Sequence, residues 1–315
     1  MFQYNKYTFG LRFEKGIAFR SPASFIFRNN IGFQLKRLTC ILRSSECGSC
    51  ILNKTCIYSS VYETPIDKNN KIIKGRDRAS HPYLVYSDAP TGLKTERINI
   101  DIVLIGTAVN YFPYILLTMI NIGKSGILRD RIHFDVESVL CQGKSVLNRK
   151  DDYCENVSPL IWDWDGSALA ENKNERIKEV ALAFLSPLRI KHNGKLVSTI
   201  TYKDILYGAA RRVDILDNLF GNGSLASRGV TADSLGFIES ASNGKEFLSR
   251  LKWTDYSRYS ARQKQSMQMG GLMGKAVVKG AFSSKELAFL KAAELFHIGK
   301  NASFGLGKVE VRANG

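Results

Sequence analysis

The sequence has few acidic residues for its length. Among 315 residues, 29 are Asp or Glu and 45 are Lys or Arg, so the formal net charge is +16. A surplus of this size favours a polyanionic partner, either nucleic acid or an anionic membrane surface. The alternative is a globular protein that is basic without such a partner. Between a nucleic-acid partner and this alternative, we favour nucleic acid. The hydrophobic content of 44% is ordinary for a chain that buries a core, and the length suffices for two domains.

The sequence also lacks a clear segment for secretion or membrane insertion. Its N-terminus, MFQYNKYTFGLRFE, has no basic stretch followed by an apolar core, so we expect no signal peptide and a cytoplasmic location. The uncharged run Ile102–Gly123 is long enough to cross a bilayer, but Gly106 and Pro113 interrupt it. We interpret it as the end of a buried strand, Ile98–Ile105, followed by a turn and an apolar helix.

No standard phosphate-binding loop is present, although a glycine-rich segment lies near the C-terminus. In HIGKNASFGLGKVEV (residues 297–311), five residues separate Gly299 from Gly305, whereas the nucleotide P-loop has four between its first glycine and its Gly-Lys pair. The segment also follows a predicted helix and precedes a predicted strand, so no helix N-terminus faces a ligand there. We refer to residues 297–308 as the glycine loop.

Two interpretations of the glycine loop remain open. Its exposed backbone N–H groups, with Lys300 and Lys308, are able to line a phosphodiester chain. Alternatively, Gly299 is the C-cap of the preceding helix, and Gly305 and Gly307 form a bulge.

Strand-like and helix-like stretches alternate in the same order in both halves of the chain. Aromatic alternation predicts a strand at residues 3–13, and helical periodicity follows at Phe25–Leu42. Later, strands flank an Asn-Gly hairpin at residues 193–194, and helices are predicted at Tyr202–Phe220 and Ser284–Ile298. Each half therefore has roughly the order β-α-β-β-α-β, which is the ferredoxin-like order that RNA-recognition modules share.

These patterns predict an α+β protein of two tandem ferredoxin-like domains. A polar stretch, Asp165–Glu179, looks like the joint between them. We place an N-terminal domain with a cysteine-rich insertion at residues 1–172 and a C-terminal domain with the glycine loop at residues 173–315. The order of elements does not by itself fix the function.

Four of the six cysteines cluster in one short segment. Two residues separate Cys47 from Cys50, a good spacing for chelation, and Cys40 and Cys56 complete a set of four thiolates. We predict a possible structural metal here, with zinc ahead of an iron–sulfur cluster. The alternative is a set of reduced, partly buried thiols, since disulfides are unexpected in the cytoplasm.

Several stretches together resemble a known family. They are FRNNIGFQLKRLTC with CGSCILNKTCIY, LIGTAVNYFPYILLTMINIGKSGI, FLSPLRIKHNGKLV with ILYGAARRVDIL, and RYSARQKQSMQMGGLMGKAVVKG with HIGKNASFGLGKVEV. On these stretches, which extend over most of the chain, the sequence resembles a CRISPR-associated endoribonuclease that processes precursor guide RNA. That family belongs to the repeat-associated mysterious protein (RAMP) superfamily, and the last pair of stretches is the most specific.

The resemblance implies both a fold and a reaction. It implies two tandem ferredoxin-like domains with RNA in the cleft between them, and metal-independent cleavage of CRISPR repeat RNA that leaves a 2′,3′-cyclic phosphate. In such a reaction a base removes the 2′-OH proton, an acid protonates the leaving 5′-oxygen, and a cation stabilises the phosphorane charge. The substrate provides the nucleophile, so no catalytic cofactor is required.

The catalytic residues are less clear, because the family often places a histidine near the first helix and this helix has none. It offers Arg28, which we take as a candidate cation. Of the four histidines we favour His297, which ends the helix before the glycine loop, with Lys300 as the nearest cation. The alternative for His297 is a helix-capping role. The other three histidines are weaker candidates: His81, His133 and His192.

Candidate RNA-binding residues lie in two places. The stretch RLKWTDYSRYSARQK interleaves cations that bind phosphate with aromatic rings that stack on bases. From it we select Arg258, Tyr259, Arg262 and Lys264. From the glycine loop we select Gly299, Ser303, Gly305, Gly307 and Lys308. The alternative for the first stretch is a solvated basic strand whose aromatic residues lie in the core.

Two rival functions are compatible with the sequence. One is a non-cleaving RAMP subunit that holds guide RNA among the subunits of a CRISPR effector complex, and the missing first-helix histidine favours it. The other is a zinc-containing nucleic-acid-binding regulator built on the cysteines. We predict the endoribonuclease, with CRISPR repeat RNA or guide RNA as its partner and no membrane partner.

Overall fold

The computed structural model describes residues 1–43, 46–66, 80–148, 153–162, 177–221, 232–260 and 265–314. The chain divides into two units, Phe2–Ile161 and Trp162–Gly315, the latter joined by Met1. The domain boundary predicted at residue 172 lies outside the described residues. Within the described ranges, no helix is both long and apolar enough to cross a bilayer.

In the described residues, the first unit is built around one large sheet and two α-helices, with a small two-stranded sheet beside them. Its main elements in chain order are β1 (Phe2–Ala18), α1 (Ala23–Thr39), β2 (Tyr83–Ser87), β3 (Lys94–Ile105), α2 (Phe112–Ser125) and β4 (Phe134–Cys141). The strand order is β2-β3-β1-β4, with the short strand Lys144–Ser145 beyond β4. This is the ferredoxin-like arrangement predicted from the sequence.

Alternation along β1 explains the core of this unit. Phe9, Leu11 and Phe13 are fully buried because side chains two positions apart point to the same face of a strand. The uncharged run after β3 forms a 3₁₀ helix, Gly106–Tyr111, followed by α2, so the predicted strand, turn and helix are confirmed. Gly123 lies against the backbone carbonyl of Phe134, where a Cβ would collide.

Short elements complete the described part of the first unit. One turn of π-helix at Ser59–Glu63 follows the cysteine segment. Short strands lie at Leu147–Asn148, Tyr153–Cys154 and Leu160–Trp162.

The second unit repeats the same order with one extra helix. Its main elements are β5 (Glu179–Leu188), α3 (Tyr202–Phe220), α4 (Ala232–Ser242), β6 (Glu246–Thr254), β7 (Gly271–Lys279), α5 (Ser284–Phe296) and β8 (Val309–Asn314). The strand order is β6-β7-β5-β8, again ferredoxin-like. A hairpin, Ser257–Ser260 with Gln265–Gln268, lies between β6 and β7.

Local sequence signals mark the starts of the helices α3 and α5. Thr201 and Ser283 each form a capping box, the first with Asp204 and the second with Glu286, so both predicted helix starts are confirmed. The Asn-Gly hairpin is present, with Asn193 at φ 48° and Gly194 at φ 82°. Its second strand is shorter than predicted, Lys195–Leu196, because the chain turns soon afterwards into the cap of α3. The helix α4 was not predicted.

Candidate functional site

A cluster of polar and aromatic side chains packs against α1 in the first unit. We call it the first-helix cluster, and it consists of Arg28, Tyr62, Thr64, His81 and Tyr83. Arg28 is on α1, Tyr62 is in the π-helical turn, and His81 lies two residues before β2. Three separate segments therefore meet at one point.

Hydrogen bonds define the protonation state at the centre of this cluster. The Arg28 Nη1 donates to the Tyr62 hydroxyl at 3.0 Å, and Arg28 Nη2 lies 2.9 Å from His81 Nε2. Because a guanidinium only donates, His81 Nε2 accepts, and the ring proton resides on Nδ1. That nitrogen lies 3.1 Å from Thr64 Oγ1, which accepts the proton. His81 is thus held as a neutral imidazole whose basic nitrogen faces a cation.

The aromatic rings of the first-helix cluster are stacked next to the contact between Arg28 and His81. The Tyr62 ring centroid is 5.8 Å from that of His81 and 5.9 Å from that of Tyr83, and the Arg28 guanidinium lies 4.9 Å from the Tyr62 centroid. Such contacts restrict a long side chain and add cation–π attraction. Burial raises the pKa of Tyr83 well above its ordinary value, partly opposed by Arg28, so this phenol stays protonated.

The sequence of α1 makes room for this arrangement. Gly32 follows Arg28 by one helical turn, and a Cβ at Gly32 would collide with the Tyr62 ring. The ring therefore rests directly on the helix backbone. Arg28 itself is only 6% exposed, whereas Tyr62 and His81 are half-buried and reach the surface.

Arg28 was predicted as a candidate cation, and the histidine beside it is His81, one of the weaker candidates. The first helix has no histidine of its own, and the structure brings one from 53 positions further along the chain. Tyr62 was not among the predicted residues. The available signal was indirect: His81 precedes Pro82 at a strand start, and Tyr62 belongs to a short aromatic run, but neither pattern reports a contact with α1. Of the other histidines, His133 is exposed on the surface of this unit.

In the second unit, the glycine loop is held by internal backbone hydrogen bonds. The amides of Ile298 and Lys300 donate to the carbonyls of Gly307 and Arg189 at 3.1 and 2.8 Å. The Gly307 amide donates to the Pro187 carbonyl at 3.0 Å. These N–H groups are therefore used within the loop and with the end of β5. This geometry favours the cap-and-bulge interpretation for this part of the loop.

The glycines of the loop permit these close approaches. Gly299, Gly305 and Gly307 all have positive φ, between 71° and 82°. A Cβ at Gly299 would lie 2.6 Å from the Arg189 carbonyl oxygen, and one at Gly307 would collide with the Ile298 carbonyl. Any other residue would thus be strained and would also push the backbone segments apart.

His297 is buried within this loop. It is 2% exposed, and its Nδ1 lies 3.2 Å from the Leu306 carbonyl oxygen, to which it donates. It is the C-cap residue of α5, with φ 56°. The contact joins the start of the loop to its end, which fits the capping role that the sequence left open for this histidine.

Ser186, which was not predicted, lies on β5 and holds the glycine loop near the predicted residue Lys308. The Ser186 hydroxyl donates to the Gly305 carbonyl at 2.7 Å and accepts from the Lys308 amide at 2.8 Å. The Lys308 ammonium donates to the Glu294 carbonyl at 2.8 Å. Lys300 and Ser303 are half-buried on the loop.

The basic hairpin also reaches the glycine loop. The Arg258 guanidinium lies 4.4 Å from the centroid of the Phe304 ring. In the hairpin, the backbone of Tyr259 pairs with Ser266. The structure thus joins the two predicted RNA-binding stretches at Arg258 and Phe304. Arg262 and Lys264 lie outside the described residues.

The four clustered cysteines line a single pocket at the end of α1: Cys40, Cys47, Cys50 and Cys56. All are free thiols. Burial is the largest effect on the Cys47 thiol and raises its pKa, while the charge of Lys36 lowers it. In the part of the chain that the structure describes, no three His, Cys, Asp or Glu side chains stand in the arrangement of a formed metal site. Zinc therefore stays a prediction at this point.

Two family models match the chain, one in each unit. The model described as the AF_1859 N-terminal domain matches residues 2–159, and that of the CRISPR-associated endoribonuclease Cas6 matches residues 182–309. No curated protein sequence matches.

Solved structures are similar to the chain over nearly its whole length. A Cas6 product complex has 13% identity and a TM-score of 0.57, covering 99% of this chain and 100% of that chain. Thermus thermophilus Cas6 has 11% identity and a TM-score of 0.53, with 99% of each chain covered. A partial Cas6-RT-Cas1–Cas2 complex has 13% identity and a TM-score of 0.58, covering 100% of this chain and 46% of that chain. At these identities the likeness shows the fold.

Proposed function

The chain belongs to the family of the CRISPR-associated endoribonuclease Cas6, and from this premise we propose that it cleaves CRISPR precursor RNA within its repeats. The cut is made by the RNA's own 2′-hydroxyl, without a metal ion, and leaves a 2′,3′-cyclic phosphate. The observation that carries the proposal is the contact between His81 Nε2 and Arg28 Nη2 at 2.9 Å.

His81 is the general base in this proposal. A neutral imidazole with an unprotonated Nε2 is the form able to accept a proton from the attacking 2′-hydroxyl. The bond from Nδ1 to Thr64 fixes that tautomer, because it keeps the ring proton on the opposite nitrogen. When RNA binds, the Arg28 fork turns from Nε2 to the scissile phosphate and leaves Nε2 to the 2′-hydroxyl.

Arg28 and Tyr62 supply the two remaining requirements. The guanidinium matches two phosphate oxygens and stabilises the charge that develops on the phosphorane. The Tyr62 hydroxyl, now held by Arg28 Nη1 at 3.0 Å, is the proton donor for the leaving 5′-oxygen. All three groups are delivered by elements of the first unit.

The glycine loop has a different role in this proposal. Because His297 is buried, we assign it to positioning the loop rather than to proton transfer. Lys300, Ser303 and Arg258 contact the RNA backbone from the second unit.

The test uses purified protein, excess chelator and end-labelled repeat RNA from the same source. A matched RNA carries a single 2′-deoxy nucleotide at the cut. The expected result is cleavage of the first RNA only, with a cyclic phosphate end. Tight binding without cleavage of either RNA would instead indicate a guide-RNA-holding subunit, and cleavage of the deoxy RNA would exclude the 2′-hydroxyl mechanism.

A further inference from the structure

We propose that four thiolates at the C-terminal end of α1 bind one structural zinc ion, namely those of Cys40, Cys47, Cys50 and Cys56. The inference is separate from RNA cleavage, and the test below measures metal rather than activity. Four thiolates in tetrahedral array are a closed structural site for zinc, with no position left for substrate.

The backbone brings all four cysteines to one place. Cys40 is the C-cap residue of α1, and its amide donates to the Lys36 carbonyl at 2.9 Å. The other three follow within the next 16 residues, and all four side chains line the same pocket. A shared pocket is what a common ion requires, since every ligand must point to one centre.

Tight turns direct the later cysteines toward that pocket. The Cys50 amide donates to the Cys47 carbonyl at 3.4 Å, and the Cys56 amide donates to the Leu52 carbonyl at 2.8 Å. A turn that joins residues three apart places their side chains on the same side, so Cys47 and Cys50 form a chelating pair.

The segment has little apolar packing of its own. Ile41 and Ile51 are 80% and 89% exposed, so two isoleucines of the segment face solvent. Cys47, Cys56 and Ile57 are the partly buried apolar residues of the segment that pack on the core. A segment with so few buried contacts is stabilised when metal binding supplies folding energy, as in other small thiolate sites.

The surrounding charge suits a site with four thiolates. One zinc ion and four thiolates carry a net charge of −2. Lys36 and Arg37 occupy the last turn of α1, next to Cys40. Their positive charges offset this excess and also the negative end of the helix dipole.

The thiols do not yet stand in coordination geometry, and closing the site requires only local movement. All four are free, so none is tied in a disulfide. Rotation of a cysteine about its Cα–Cβ bond between staggered positions swings the sulfur to another side of the backbone. We expect such rotations to bring the four sulfurs, which already line one pocket, around one ion.

The experiment measures metal in the full chain purified under reducing conditions. Elemental analysis is expected to find about one equivalent of zinc, as one four-ligand site requires. After removal of zinc with a chelator, titration with Co²⁺ alone should give thiolate-to-cobalt absorption that saturates at one equivalent and disappears when Zn²⁺ is added.

Variants separate this site from the other thiols. The double variant Cys47→Ser and Cys50→Ser should lose the metal and the cobalt absorption, whereas Cys154→Ser should keep both. Cys56→His should also keep one equivalent, because imidazole replaces a thiolate as a zinc ligand.

Three results would overturn the proposal. One is a folded chain that takes up no metal while all four thiols react with a thiol reagent. Another is a disulfide among these cysteines in the native chain. The third is iron with acid-labile sulfide in place of zinc, which would assign the same ligands to a cluster.

Discussion

Arg28 Nη2 lies 2.9 Å from His81 Nε2, although His81 is 53 positions further along the chain. The family resemblance led us to expect a histidine near the first helix, which has none of its own, and the structure brings His81 there. The helix provides the cation, and the chain segment before β2 provides the imidazole. In the proposed mechanism these two groups are the charge-stabilising group and the base for 2′-hydroxyl attack.

Replacing His81 tests the base directly. We expect His81→Ala to reduce single-turnover cleavage of repeat RNA by about 10²-fold or more while leaving RNA affinity nearly unchanged, because a general base contributes to the chemical step. His133→Ala is the matched control, since this histidine is exposed and lies outside the first-helix cluster. Equal cleavage rates for the two variants would remove His81 from the mechanism.

Adding one methyl group to α1 tests the placement of Tyr62. A Cβ at Gly32 would collide with the Tyr62 ring, so Gly32→Ala should displace the ring from Arg28 and slow cleavage while both reacting side chains stay in the sequence. Gly236→Ala is the control, because this helical glycine has nothing within 4 Å of its Cβ position. The fluorescence and the cleavage rate would be measured for both variants. If Gly32→Ala cleaves RNA as fast as the unchanged protein, the contact between Gly32 and Tyr62 has no role in cleavage.

The glycine loop predicts a stability effect. Gly307→Ala combines a left-handed backbone with a collision against the Ile298 carbonyl, and we expect it to cost about 2–4 kcal/mol. Gly244→Ala shares the positive φ but has open space, so it should cost only about 1 kcal/mol. Urea unfolding followed by circular dichroism measures the difference. Similar urea midpoints for the two variants would show that the backbone near Gly307 and Ile298 moves apart easily to accept a Cβ.

The contact of Arg258 with Phe304 predicts a salt-dependent effect on RNA binding. We expect Arg258→Ala to weaken binding and to reduce the slope of log affinity against log salt by about one unit, as the loss of one phosphate contact does. Arg312→Ala is the control, because Arg312 is exposed and already paired with Glu310 at 2.7 Å. A slope that Arg258→Ala leaves unchanged would mean that Arg258 only packs on the loop.

The sequence was informative where a signal is local. The helix starts at Tyr202 and Ser284, the Asn193-Gly194 turn and the alternation along β1 each depend on neighbours in the chain, and all three predictions are confirmed. The ferredoxin-like order followed from them.

The first-helix cluster was only partly predicted, because its contacts are long-range. Nothing near Arg28 in the sequence reports His81, and a histidine before Pro82 looks like an ordinary strand start. The catalytic role of His297 stays a prediction that rests on its place between a helix and the glycine loop. The structure buries its ring, and its Nδ1 donates a hydrogen bond to the Leu306 carbonyl, which favours the capping alternative.

The position of β1 has a consequence for synthesis of the protein on the ribosome. This strand is made first, yet it lies between β3 and β4 in the finished sheet. One edge of β1 stays unpaired until β3, which ends at Ile105, has been made, and the other edge stays unpaired until β4, which ends at Cys141. The nascent chain therefore carries this aromatic strand with one edge open well after the first edge has a partner, and an open strand edge is a site for misassembly.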